Sequence, residues 1–222
     1  MTTRERHADH GPVQVHLDGA QIRTLAHPLR ARLLSALRAG GPATATRLAE
    51  ELGTNTGATS YHLRRLAEAG LVVEEPGRGT GRQRWWRALH QLSGWGGTDF
   101  DDDPDSRAAA DWLSRYSLRV HAAQAERWIE AQHDYPPEWR QAAQLSDYLL
   151  RLTPAQLAQL NAELCAVVDR YRHTFAPVTD PADDASDEQP PGTERVLVYL
   201  HSFPVRGSIL PPVRPDADKK RS

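Results

Sequence analysis

Thr56, Gly57, Ser60, Tyr61 and Arg64 recur at i, i+1, i+4, i+5 and i+8, the spacing that gathers side chains on one side of an α-helix. Two aliphatic hydroxyls, a phenol and a guanidinium on one stripe can both donate and accept hydrogen bonds. The glycine among them lets another molecule approach the backbone closely. Such a face suits the donor and acceptor edges of base pairs and the anionic phosphates beside them. Arg65 adjoins the stripe, and Arg78, Arg82, Arg84 and Arg87 follow in and just after EEPGRGTG, a run whose glycines and proline make it a turn. Arginines on such a turn can lie along a phosphate backbone or reach into a minor groove. Thr56, Gly57, Ser60 and Tyr61 are therefore expected to read bases or pack on them. Arg64, Arg65, Arg78, Arg82 and Arg84 are expected to hold phosphates.

The elements that must carry these residues are legible on either side. A helix capped by Asp18 turns Ile22 and Leu25 inward. His27 before Pro28 breaks it, and Pro28 suits the first turn of the next helix. There Leu29, Leu33, Leu34 and Leu37 repeat at helical spacing while Arg30, Arg32 and Arg38 lie off the stripe. Gly40, Gly41 and Pro42 end that helix. Thr44 or Thr46 caps the following one, with Leu48 and Leu52 facing the core and the small Ala49 where two helices must approach. Gly53 closes it. Asn55 or Thr56 caps the stripe-bearing helix, which runs to Ala69, stops at Gly70 and buries Leu63 and Leu66, with Thr59 and His62 beside them. Residues 71–73 begin a strand, and 82–88 make its return.

This order of elements resembles the winged helix-turn-helix of the ArsR-type bacterial transcription regulators. AHPLRARLLSAL resembles the family's opening helix pair, and LGTNTGATSYHLRRLAEAGLV its recognition helix and exit into the wing. GATSYHLRRL followed by RQRWWRAL is similar to a branch with a long C-terminal extension. The resemblance covers residues 18–89, about a third of the chain. It implies a homodimeric regulator binding double-stranded DNA at an inverted repeat, one recognition helix per half-site, and a repressor is the expected sense of control. Metal-sensing members place a Cys-x-Cys pair before the recognition helix, because thiolates hold soft metals; here ATATRLAEELG carries no cysteine. His121 and His133, twelve residues apart on an expected helix, are separated by about 18 Å of rise, too far to share one ion within a chain. No metal or other cofactor is expected.

Composition narrows the class further. The 222 residues have a net charge of −2, which hides a division. Residues 1–90 hold 13 Arg against 8 acidic side chains, a net +5, and residues 91–222 hold 14 basic against 21 acidic, a net −7. A basic half joined to an acidic one fits a nucleic-acid reader attached to something that avoids phosphate. Of the 27 basic residues 25 are Arg, a bias that fits a GC-rich coding genome. Cys165 is the only cysteine, so no intrachain disulfide can form and a reducing cytoplasm is the expected compartment. Nothing approaches the apolar run of about 18 residues that a membrane span needs. The polar MTTRERHADHGPVQVH has no signal-peptide core. No nucleophile elbow, phosphate loop, paired-carboxylate spacing or metal-ligand cluster stands out. Cys165 falls mid-helix on an expected buried flank without a neighbouring His, and Asp101, Asp102 and Asp103 read as solvated. The chain is not expected to be an enzyme.

The remainder is expected to be helical. Residues 91–104 read as a Gly- and Asp-rich linker. A long helix starts at Asp105 or Ser106 and reaches about His133, with Trp112, Tyr116, Val120 and Ala123 on one stripe and Trp128 and Ile129 continuing it. Prolines 136 and 137 break the chain, and Trp139 heads a short helix. YLLRL at 148–152 reads as a strand. Thr153, Pro154, Ala155 and Gln156 form a capping box for a helix with Leu157, Leu160, Leu164, Val168 and Tyr171 on one side, ending near His173. Residues 177–193 lack large apolar side chains apart from Val178 and are expected to be disordered. RVLVYLHSF at 195–203 alternates as a strand and must pair; its expected partner is 148–152, within the chain or in a second subunit. The fold class is thus mainly α with small β. It comprises a leader (1–16), a winged helix-turn-helix domain (17–90), a linker (91–104), a helical dimerisation and regulatory region with a short two-stranded ribbon (105–203), and a tail (204–222). Trp112, Tyr116, Trp128 and Trp139 either fill a dimerisation core or line a pocket for a small hydrophobic or aromatic effector. The alternative function is a winged-helix protein-interaction module without DNA binding; the basic, small-residue face of 56–64 argues against it.

Overall fold

A computed structural model describes residues 14–75, 84–90, 92–175 and 192–207. After strand β1 (Gln14–His16), Asp18 starts α1 (Gly19–Leu25) with a complete capping box. Its carboxylate accepts from the Gln21 N–H at 2.8 Å, and the Gln21 side chain accepts from the Asp18 N–H at 3.1 Å. Helix α2 (Pro28–Gly40) begins with proline at its first position and His27 as its cap, the ring Nδ1 accepting from the Leu29 N–H at 3.1 Å. Thr44, the second residue of β2 (Ala43–Thr44), caps α3 (Ala45–Glu51) through its hydroxyl. Gly53, at φ 63°, turns the chain into Asn55, whose side chain accepts from the Ala58 N–H at 2.8 Å and caps α4 (Thr56–Glu68). That left-handed turn is open to glycine without the Cβ penalty.

Strands β3 (Val72–Glu74) and β4 (Trp85–Ala88) pair antiparallel, and β2 adds to the far edge of β4, giving the order β2-β4-β3. Val72 faces Ala88, and Ala43 faces Trp86. With α2, α3 and α4 this sheet makes a winged helix-turn-helix. The core is built from Leu17, Ile22, Leu33, Leu48, Leu63, Leu66, Leu71 and Val72, each at most 1% exposed. Each such aliphatic side chain contributes about 1.5–3 kcal/mol of transfer free energy.

Several expectations for the remaining residues change. The segment read as a linker, 91–104, belongs to the domain: β5 (Leu92–Gly94) pairs in parallel with β1, Phe100 is buried, and Trp95 packs on the core. Its two aromatic anchors outweigh a Gly- and Asp-rich composition. Asp103, read as solvated, caps α5 (Pro104–Ala131) by accepting from the Ser106 N–H. The first turns of α5 then pack on α1, burying Ser106, Ala109, Ala110 and Leu113. Residues 14–16 of the expected leader form β1; residues 1–13 lie outside the described residues, as do 76–83, with the wing tip, and 176–191, most of the stretch expected to be disordered.

Beyond α5 come a 3₁₀ turn (Gln132–Asp134), α6 (Pro137–Ala142) and α7 (Pro154–Phe175). Thr153 and Gln156 make the expected capping box. Within one chain the expected pairing of 148–152 with 195–203 does not form: neither segment carries a strand ladder, and the two-stranded sheet among the described residues is β1-β5. Alternation marks a strand-competent segment, yet a ladder needs a neighbour in register. Cys165 is exposed rather than on a buried flank. No described helix is long and apolar enough to cross a membrane.

Candidate nucleic-acid interface

Helix α4 is held by Leu63 and Leu66 and by Thr59, all 0% exposed, so its opposite side is forced outward. Thr56, Gly57, Arg64 and Arg65 are exposed, Ser60 is half-buried, and Tyr61 is 55% exposed. An open cleft of about 520 Å³ runs between the start of α3, the outer face of α4 and strand β4. Thr56, Ser60 and Arg64 line one wall; Thr44, Thr46, Arg84 and Trp86 line the other. The structure thus brings Thr56, Ser60, Arg64 and Arg84 to one cleft, with Gly57, Tyr61 and Arg65 on the same helix outside it. Arg78 and Arg82 fall outside the described residues.

The arginines are not equivalent. Arg64 has no acidic partner among the described residues. Arg65 Nη1 lies 2.5 Å from Glu68 Oε2, and Arg84 Nη1 lies 3.7 Å from Glu74 Oε2. These surface pairs are individually weak, but each offsets part of the positive charge that would meet a phosphate. The positive end of the α4 dipole, at Thr56 and Gly57, faces outward with Arg64 and adds to the same field.

Behind α4 lies a cluster that composition does not reveal. The His27 and His62 rings sit 4.4 Å apart, with Tyr61 edge-on to His62. Burial holds both imidazoles below the usual histidine range, helped by the Arg30 guanidinium in each case and by His27 at His62. His27 must keep Nδ1 unprotonated to cap α2, which fits that direction. The arginines of α2 are brackets rather than free surface charges. Arg30 donates to the Thr24 carbonyl, Arg32 to that of Leu52 at 2.9 Å, and Arg38 to that of His90 at 2.9 Å. Burial brings the Arg38 guanidinium down to about 10, so it stays charged at neutral pH. Part of the basic excess of the N-terminal half is therefore spent inside the domain.

Sequence reasoning missed Thr44, Thr46 and Trp86 as lining residues. The signal available was the threonine-rich ATAT leading into α3, which places hydroxyls at a helix start facing the same cleft. The four aromatics considered for an effector do not converge. Trp112 and Tyr116 stack, ring centroids 5.2 Å apart and 7° from parallel, against the domain core. Trp128 meets Tyr135 edge-on at 5.3 Å, sixteen residues and about 24 Å of helix beyond Trp112. Trp139 lies on α6. His121 stacks on Tyr199 at 3.8 Å, and its Nδ1 is 3.0 Å from His201 Nε2.

A helix-turn-helix domain family model matches residues 25–75, which run from the end of α1 to just past β3. No curated protein matches the chain. Among solved structures, a possible transcriptional regulator for arsenical resistance is 27% identical, covering 53% of this chain and 97% of its own, with a TM-score of 0.28. RV1404 from Mycobacterium tuberculosis is 17% identical over 68% of this chain and 80% of its own, TM-score 0.29. A ZitR variant from Lactococcus lactis in its apo form is 12% identical over 64% and 83%, TM-score 0.27. Superpositions this loose carry no argument about function; the match that bears on this chain is the helix-turn-helix domain at 25–75.

Proposed function

We propose that this chain is a sequence-specific DNA-binding transcription regulator of the ArsR type, acting in the cytoplasm as a homodimeric repressor on an inverted-repeat operator. The observation that carries the reading is the outward polar face of α4, opening on one cleft with Arg84 of the wing. A helix so presented fits the major groove, and strand β4 beside it leads into the wing that would follow the backbone. Thr56, Gly57, Ser60 and Tyr61 meet base edges; Arg64, Arg65, Arg84 and, in the wing, Arg78 and Arg82 meet phosphates. Tyr61 is the one large apolar surface on this face, which argues against a protein-docking module. A small hydrophobic effector belongs to the same reading. Of the four aromatics, Trp112 and Tyr116 abut the DNA-binding core and would couple such a ligand to it.

The test is anisotropy titration of labelled duplexes at about 50 mM salt, where phosphate contacts are strongest, after selection from a random-sequence pool. Selected sequences should contain an inverted repeat with half-site centres about 10 base pairs apart or a multiple of that. Ser60→Ala and Tyr61→Ala should relax preference at one or two base pairs per half-site and leave random-duplex binding nearly intact. Equal losses on selected and random duplexes contradict those assignments, and no binding at low salt ends the reading.

A further inference from the structure

The buried residues of the described chain all lie between Leu17 and Leu113. Past that point the chain exposes apolar side chains in quantity, most openly between α6 and α7. There residues 143–153 belong to no helix or strand, with Leu145 64%, Tyr148 78%, Leu149 71% and Leu150 57% exposed. Among the described residues, 144–152 take part in no backbone–backbone hydrogen bond. A segment whose backbone N–H and C=O groups are unpaired is open to pairing with another strand. The other such run, 194–206, makes no backbone–backbone hydrogen bond among the described residues either, but its side chains are engaged within its own chain: Tyr199 stacks on His121, and Ser202 donates to Asn161 at 2.6 Å.

We propose that residues 145–153 of two copies pair as antiparallel strands about a two-fold axis at Leu149, setting Asp147 of each copy opposite Arg151 of the other. The charge pattern selects both the occupant and the register. Asp147 and Arg151 flank Leu149 at equal distances, so an antiparallel self-pairing centred there makes two opposite-charge pairs and sets Tyr148 against Leu150 twice. Centring on residue 148 leaves Asp147 facing Leu149, and centring on 150 leaves Arg151 facing Leu149. A parallel pairing puts each charge beside its like. A self-complementary strip is what an isologous two-fold interface requires. Alternation then gathers Tyr148, Leu150 and Leu152 on one face of the ribbon. Two strands need helix cover to be stable; α5 exposes Leu118 and Ile129 for it, and α7, which packs closely against no other helix or strand among the described residues, exposes Val167.

This pairing rests on the homodimer in the proposed function, and the experiment separates the two. Full-length protein carrying Cys165→Ser and Leu149→Cys is oxidised mildly and run on a non-reducing gel. On the axis the two Cα atoms lie about 4.5–5.5 Å apart, within disulfide reach, so a covalent dimer forms. Leu145→Cys in the same background places its pair about 27 Å apart and stays uncrosslinked. In sedimentation, Asp147→Arg and Arg151→Asp each weaken the dimer about tenfold by facing like charges twice, and the double swap restores it. A dimer that crosslinks at neither position and shows no rescue overturns the strand pairing and leaves the homodimer standing. A chain that sediments as a monomer at every concentration overturns the homodimer, and the pairing with it.

Discussion

Arg64→Ala isolates the electrostatic part of DNA binding, because Arg64 is exposed and has no acidic partner among the described residues. Each phosphate neutralised by a cation contributes about 0.9 to the slope of log K against log salt on duplex DNA. The proposed homodimer carries two copies of Arg64, so in it the variant should flatten the slope by about 1.8. Between 50 and 200 mM salt each contact accounts for about 3.5-fold of the affinity lost, and the pair for about 12-fold. Anisotropy titrations of one duplex at four salt concentrations read this directly. Arg65→Ala is the internal control: with Glu68 Oε2 2.5 Å from its guanidinium, its charge is already partly answered, and the slope should change less. An unchanged slope for Arg64→Ala would refute the assignment of Arg64 to the phosphate backbone; an equal change for Arg65→Ala would show that Glu68 does not offset the Arg65 charge.

Thr59→Val should raise stability by about 1 kcal/mol, since the Thr59 hydroxyl is fully buried without a hydrogen-bond partner among the described residues and valine keeps its shape; a lower melting temperature would contradict this, and DNA affinity should not move. Gly19→Ala should cost about 1–3 kcal/mol by overpacking, because a Cβ there comes 2.7 Å from Ser106 Oγ, which Arg23 and Asp103 hold in place. Denaturation with and without Ser106→Ala checks it: the second change should recover part of the loss. The histidine pair sets a pH dependence. His27 and His62 titrate below 6.5 in the folded domain, so their contribution is complete above that value and is lost as pH falls through the folded-state value. Urea midpoints should fall between pH 7.5 and 5.5, and less steeply for His27→Asn with His62→Gln; an equal fall in both proteins would place the acid sensitivity elsewhere.

How much was readable in advance follows from the range of the forces involved. The caps at Asp18, Thr44, Asn55 and Thr153 are bonds spanning three residues, so the letters alone announce them. The glycines at 53 and 70, with positive φ, end their helices as their positions implied. The leucine stripe of α4 likewise implied which side of that helix faces outward. Arg32 and Arg38 could be placed only off the leucine stripe, because their acceptors, the carbonyls of Leu52 and His90, lie 20 and 52 residues away. Local pattern carries no record of such a partner.

The sequence by itself determined the order of elements in the winged domain and the polar face of α4, because capping, left-handed glycines and the 3.6-residue repeat act within a few residues. Only the tertiary structure decided that 92–113 belongs to that domain, that Thr44, Thr46 and Arg84 share a cleft with Ser60 and Arg64, and that 148–152 and 195–203 form no strand ladder within one chain. Those outcomes depend on burial and pairing between residues far apart in the chain, where many partners satisfy the same local pattern and packing selects among them.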